Sequence, residues 1–188
     1  MFHLRPYQEY AICMAAAKIS AGCRSLILVS PTGSGKTVIG SHIILKAIIK
    51  GNQTLFLAHR KELVDQCSKK LAALSLPHGI IMAGHSYDSL APVQVASLQT
   101  ANRRELPAGF RLIIIDECHH AAAESKESWL APLQAGQQIG REIVICHGIS
   151  GKGAVATSGV GISKGERVAV FLRPPPHVKR RRASVVHG

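Results

Sequence analysis

Ser30-Pro31-Thr32-Gly33-Ser34-Gly35-Lys36-Thr37 follows directly on the apolar run Leu26-Ile27-Leu28-Val29, and residues 37 to 50 beyond it have helix-forming composition. Strand, glycine-rich turn and helix in that order predict a phosphate cradle. The glycines let the backbone turn tightly so that its N–H groups face phosphate oxygens, Lys36 supplies a positive charge, and the Thr37 hydroxyl can reach Mg²⁺. The stricter form of the pattern has glycine where this chain has Ser30. A second apolar run, Ile113-Ile114-Ile115, leads into Asp116-Glu117-Cys118-His119-His120. A carboxylate at the end of a buried strand can hold a metal's water shell, while its neighbour orients or deprotonates an attacking water. Singly, these stretches also read as a glycine-rich turn and a solvated acidic loop. As a pair they predict a site for a nucleoside triphosphate.

Outward from the cradle, the chain alternates between helix and strand patterns. Residues 6 to 19 read as a helix opened by Pro6 and stopped by Ala21-Gly22. Residues 25 to 29 read as a buried strand, and 37 to 50 as a helix whose N-terminus faces the phosphates and which Gly51-Asn52 ends. Residues 54 to 58 form a second strand pattern. Residues 61 to 74 follow with Leu63, Val64, Cys67, Leu71 and Leu74 near helical spacing. Short strands are expected at 79 to 83 and 93 to 96, and a buried one at 110 to 115. Continuous apolar strands alternating with helices predict an α/β fold, a doubly wound parallel sheet covered on both faces. Ligands of such sheets bind at the carboxyl ends of the strands, where both motifs fall.

The 188 residues suffice for one domain with a sizeable core and are too few for two full α/β domains. No run of about eighteen apolar residues occurs, and Met1-Phe2-His3-Leu4-Arg5-Pro6 lacks the regions of a signal peptide. A soluble, cytoplasmic protein with no membrane partner is expected. The five cysteines show no Cys-x-x-Cys spacing, which argues for reduced thiols rather than zinc or a disulfide framework. Formal charge is +12, of which residues 1 to 130 carry +5 and residues 131 to 188 carry +7. Such an excess suits a polyanionic partner through counterion release at phosphates.

The order of motifs resembles the first motor domain of superfamily 2 helicases and translocases of the DEAD/DEAH-box (DExH) kind. Within these it is most similar to the branch of restriction-enzyme ATPase subunits and excision-repair helicases, over about residues 2 to 130. The resemblance implies a single lobe of RecA-like P-loop NTPase fold, with ATP and Mg²⁺ as cofactors. Leu4-Arg5-Pro6-Tyr7-Gln8 resembles the opening motif whose glutamine reads adenine, an edge that one amide donor and one acceptor complement. By resemblance Thr32, Gly33, Ser34, Gly35, Lys36 and Thr37 hold the nucleotide, and Thr37 and Asp116 serve Mg²⁺. Glu117 and Lys36 are catalytic, and His119 couples the ATP site to the nucleic-acid surface. Arg60 and Lys61, in the stretch 54 to 66, and Gln99 and Thr100, in the stretch 95 to 100, resemble nucleic-acid contacts. DNA is favoured over RNA at the level of the family. Without the resemblance, Leu4 to Gln8 is a helix start with an N-terminal proline. Arg60-Lys61 is then a solvated charged turn, residues 97 to 100 a polar strand end, and His119-His120 a helix-start pair.

After residue 130 the pattern departs from the family. A buried strand ending in a Ser/Thr-Ala-Thr motif should follow, but the nearest string, Val155-Ala156-Thr157, sits among glycines. Gln137-Gln138-Ile139-Gly140-Arg141 superficially resembles an arginine-finger motif and lacks its second arginine. Residues 141 to 146 and 166 to 172 read as strand candidates with no helix pattern between them. Residues 131 to 188 are expected to be a glycine-rich, basic tail, poorly packed or disordered. The expectation is an ATP-binding, nucleic-acid-dependent ATPase lobe, truncated before its second motor lobe and weak in hydrolysis and unwinding unless a partner supplies that lobe in trans. A non-catalytic nucleic-acid-binding module and an inert fragment are the alternatives.

Overall fold

A computed structural model describes residues 3–23, 25–31, 33–85, 87–103, 106–107, 109–116, 139–149 and 167–171. In chain order these form α1 (Pro6–Ser20), β1 (Ser25–Pro31), α2 (Lys36–Ile49), β2 (Thr54–Ala58), α3 (Lys61–Ala73) and β3 (His78–Ile81). Then come β4 (Val93–Ser97), α4 (Leu98–Arg103), β5 (Phe110–Asp116), β6 (Ile139–Ile149) and β7 (Arg167–Phe171). The strands make one sheet in the order β3-β4-β2-β5-β6-β1-β7, with every pairing parallel.

Side-chain alternation along the strands gives the sheet two apolar faces. Leu26 and Leu28 of β1, Phe56 of β2, Val93 and Val95 of β4, and Leu112 and Ile114 of β5 point to the face covered by α1, α2 and α3. Ile27, Val29, Leu55, Leu57, Ile113 and Ile115 point the other way and pack with Leu98 and Ala101 of α4 and with Leu106. Phe110 joins this second cluster out of phase with Leu112. A register shift between Phe110 and Leu112 accounts for the change of face.

The sheet does not stop at residue 130. β6 lies between β5 and β1, and β7 lies on the far side of β1, so the strand candidates of the glycine-rich segment overlap members of the sheet. Without β6, the strands that carry the two motifs would have no common neighbour. Residues 150 to 166 and 172 to 188, with Val155 to Thr157, lie outside the described residues, as do Gln137 and Gln138.

The short helix α4 is absent from the sequence reading, which gave Ser97 to Thr100 as a strand end. Ser97 ends β4 and caps the turn that follows: its Oγ accepts the Thr100 N–H at 3.1 Å and lies 2.9 Å from Thr100 Oγ1. A serine in front of a short apolar-spaced run was the available signal. Among the described residues, no helix is long and apolar enough to cross a membrane.

Candidate nucleotide and nucleic-acid sites

α2 begins where β1 ends, and glycine makes that possible. Gly33 has φ +78° and Gly35, the N-cap of α2, has φ +79° and ψ 39°, a left-handed conformation that L side chains resist. A Cβ on Gly33 would meet nothing within 4 Å, so the loop is open on that side. No acidic residue occupies the first turn of α2, and the partial positive charge of its N-terminal amides is not neutralised by the helix's own side chains. Lys36 is 9 % exposed although it carries a charge, and Thr37 beside it is half-buried.

Asp116 ends β5 at the same carboxyl edge of the sheet. Ile114, Ile115 and Asp116 pair with Val144, Ile145 and Cys146 of β6, which pair with Leu26, Ile27 and Leu28 of β1. Asp116 is therefore level with Leu28, two strands across, at a lateral distance of roughly 10 Å. Two residues beyond Leu28 the cradle begins. The Asp116 side chain is 3 % exposed at the carboxyl end of its strand. A buried carboxylate, a helix N-terminal hydroxyl and a lysine at one edge of the sheet are the hard-oxygen and cationic donors that Mg²⁺ and a polyphosphate require, so the residue types present fit both.

Gln8 and Tyr7, 26 and 27 residues away in sequence, close on this loop from the first turn of α1. Tyr7 Oη donates to the Ser34 carbonyl at 2.7 Å, and Gln8 Nε2 donates to the same oxygen at 3.0 Å. Gln8 Oε1 accepts the Arg5 N–H at 2.9 Å. Gln8, placed by sequence at the adenine, is thus also part of the phosphate loop's support, and Tyr7 was not singled out at all. Thr32, Glu117, His119 and His120 lie outside the described residues.

The residues expected at nucleic acid emerge from the other half of the sheet. Ala58 of β2 pairs with Ser97 of β4, so Arg60 and Lys61 on one side and Gln99 and Thr100 on the other leave adjacent strands at one level. Arg60, Lys61 and Gln99 are exposed and Thr100 is half-buried. β5 stands between this pair and β6, which puts Asp116 at the boundary between the two groups.

Beneath that boundary lies Cys67 of α3. Burial, and secondarily the negative charge of Asp116, push its thiol well above the usual range. The thiolate is the reactive form, so Cys67 stays a protonated, inert thiol at any ordinary pH, whereas Cys13 is exposed. A thiol reagent applied to the native protein at pH 8 is expected to label Cys13 and spare Cys67 until denaturant is added, as read by peptide mass mapping. Equal native labelling of the two would refute this packing of α3 on the sheet.

The family described as type III restriction enzyme, res subunit, matches residues 1–140. A Schizosaccharomyces pombe protein provisionally named a mitochondrial ATP-dependent helicase, irc3, is 38% identical over 132 residues, covering 65% of this chain and 22% of that protein. The EcoAI type I restriction endonuclease subunit of Escherichia coli is 32% identical over 139 residues, covering 66% of this chain and 17% of that one. The chain therefore spans about a fifth of the length of these relatives. Among solved structures, the Hef helicase domain of Pyrococcus furiosus aligns with TM-score 0.64 at 24% identity, covering 92% of this chain and 39% of that chain. At that level of identity the match speaks for the fold alone, a RecA-like helicase core. Sequence motifs, sheet order and family match agree: this chain belongs to the type III restriction enzyme res-subunit family, among the superfamily 2 helicases.

Proposed function

We propose that the chain is the ATP-binding first lobe of a nucleic-acid-dependent motor, working on DNA. The observation that carries the reading is the register that sets Asp116 level with Leu28 on either side of β6, at the same carboxyl edge of the sheet from which β1 leads into the Gly35-Lys36-Thr37 start of α2. Lys36 and the amides of residues 33 to 37 bind the phosphates, Thr37 and Asp116 hold Mg²⁺, and Gln8 meets the adenine. Glu117, next in sequence to Asp116, orients the attacking water, His119 couples the two sites, and Thr32 completes the loop. Bound Mg²⁺ supplies neutralisation of charge on the phosphate oxygens. Arg60, Lys61, Gln99 and Thr100 contact the nucleic-acid backbone, cations and hydroxyls being the groups that position phosphates. Support for DNA comes from a relative named as a restriction endonuclease subunit and from a fold neighbour, the Sulfolobus solfataricus SWI2/SNF2 ATPase core, whose structure is in complex with dsDNA (TM-score 0.66 at 16% identity, covering 79% of this chain and 32% of that chain). Residues 1 to 130 bear the chemistry, and β6 and β7 complete the sheet.

Motors of this class complete the site with arginines from a second lobe, a contribution worth about 10³ to 10⁵ in rate in related phosphoryl-transfer systems. The 188-residue chain by itself is therefore expected to hydrolyse ATP slowly and not to unwind DNA, with a partner lobe in trans restoring turnover. ATP hydrolysis by the purified chain, with and without single- and double-stranded DNA, tests the reading alongside Lys36→Ala and Glu117→Gln. Low turnover removed by both substitutions is the expected result. Salt-sensitive DNA binding that ignores ATP and survives Lys36→Ala would instead make it a non-catalytic binding module.

A further inference from the structure

The glycine that the phosphate cradle requires is also its weakness. A peptide bond followed by glycine can turn over at little cost, because glycine accepts either sign of φ. The Ser34–Gly35 peptide is such a bond, and Gly35 sits at φ +79°. In a trans peptide the carbonyl of one residue and the N–H of the next lie in one plane and point in opposite directions. Whatever fixes the Ser34 carbonyl therefore aims the Gly35 N–H.

Two donors from α1 fix it. Tyr7 Oη–H and Gln8 Nε2–H both donate to the Ser34 oxygen, at 2.7 and 3.0 Å. Gln8 is itself held, since its Oε1 accepts the Arg5 N–H at 2.9 Å and its side chain is 6 % exposed. The Gln8 amide also lies against Gly35, where a Cβ would come within 2.6 Å of Nε2. The carbonyl faces α1, so the Gly35 N–H faces away from it, at the start of α2.

We propose that Tyr7 is a positioning residue for the phosphates: with Gln8 it clamps the Ser34 carbonyl and so holds the Gly35 amide ready to donate to a polyphosphate. This rests on the nucleotide-site reading above and adds to it a residue that touches neither base nor phosphate. It also assigns Gln8 a role that does not depend on the base.

Mg²⁺-tripolyphosphate, which has no base, separates the roles. Binding of tripolyphosphate, ATP and GTP is measured by calorimetry at a temperature where wild type, Tyr7→Phe and Gln8→Ala are all fully folded by circular dichroism. Tyr7→Phe is expected to weaken all three ligands by a common factor of about 3 to 10, the size of one neutral hydrogen bond. Gln8→Ala is expected to weaken tripolyphosphate as well, and ATP by more than GTP. Wild-type affinity for tripolyphosphate in folded Tyr7→Phe overturns the clamp while leaving the nucleotide site intact. A loss of thermal stability without change in affinity does the same, by making Tyr7 merely structural. Failure of the wild type to bind any of the three overturns both the site reading and the clamp.

Discussion

Replacing Lys36 with alanine should lower the affinity for ATP·Mg²⁺ by about 10- to 150-fold, the range expected when a charged hydrogen-bond donor to phosphate is removed. Lys36 opens α2 and is 9 % exposed, so its side chain is packed against the protein rather than ranging through solvent. A ligand that binds only the native state raises stability by about 2.7 kcal/mol at a concentration of a hundred times its Kd, and by about 0.4 kcal/mol at its Kd. For a chain of this size each kcal/mol moves the melting temperature by about 2 to 4 °C. At an ATP·Mg²⁺ concentration near a hundred times the wild-type Kd, the wild-type transition should therefore rise by about 5 to 10 °C, and that of a variant weakened a hundredfold by about 1 °C. Lys36→Met, which keeps the apolar stem, should behave as Lys36→Ala does with ligand and be closer to wild type without it. Equal upward shifts in wild type and both variants would remove Lys36 from the nucleotide site.

The strand, the glycine turn and the helix of the loop are legible in the sequence because their signals are local. The φ-permissive Gly33 and Gly35, the apolar run before them and the helix after them lie within about two dozen residues. The strand at 54 to 58 was read with its observed limits, since Thr54 to Ala58 is wholly buried on both faces and shows no polar break. What the sequence leaves open is non-local. The place of β6 between β5 and β1 depends on pairings of Ile114 with Val144 and of Val144 with Leu26, which no local pattern encodes. The contact of Tyr7 and Gln8 with Ser34 likewise spans 27 and 26 residues, so Tyr7 read only as part of a helix start. α4 is hidden for the opposite reason: six residues make fewer than two turns, too few for a period to show. The likeness of motif order to a known family supplied a role for His119 that neither pattern nor described geometry provides.

Phe56→Ala should cost about 3 to 5 kcal/mol of folding stability, the usual range for deleting a fully buried aromatic side chain. Phe56 is 1 % exposed on β2 and pairs with Ile114 of β5, and α2 lies over both. Gly40 of the helix faces both: a Cβ on it would make ordinary van der Waals contact, 3.6 Å from Phe56 Cε2 and 3.9 Å from Ile114 Cγ2. With Gly40 offering no side chain to move into the gap, the cavity left by Phe56 cannot easily collapse, which puts the cost in the upper part of that range. At about 2 to 4 °C per kcal/mol, a fall in melting temperature of about 6 to 20 °C follows. Ile49→Ala, at a position 75 % exposed at the end of the same helix, should stay within about 0.5 kcal/mol of wild type. Urea unfolding of the three proteins without ligand measures both quantities. The consequence reaches the site, because α2 carries Lys36 and Thr37 and β5 carries Asp116. Phe56→Leu, which restores most of the volume, should recover ATP·Mg²⁺ affinity along with stability, so that the two properties move together. If Phe56→Ala cost no more than Ile49→Ala, α2 would not be seated on β2 and β5, and the placing of Lys36 and Thr37 at the edge of the sheet would lose its structural basis.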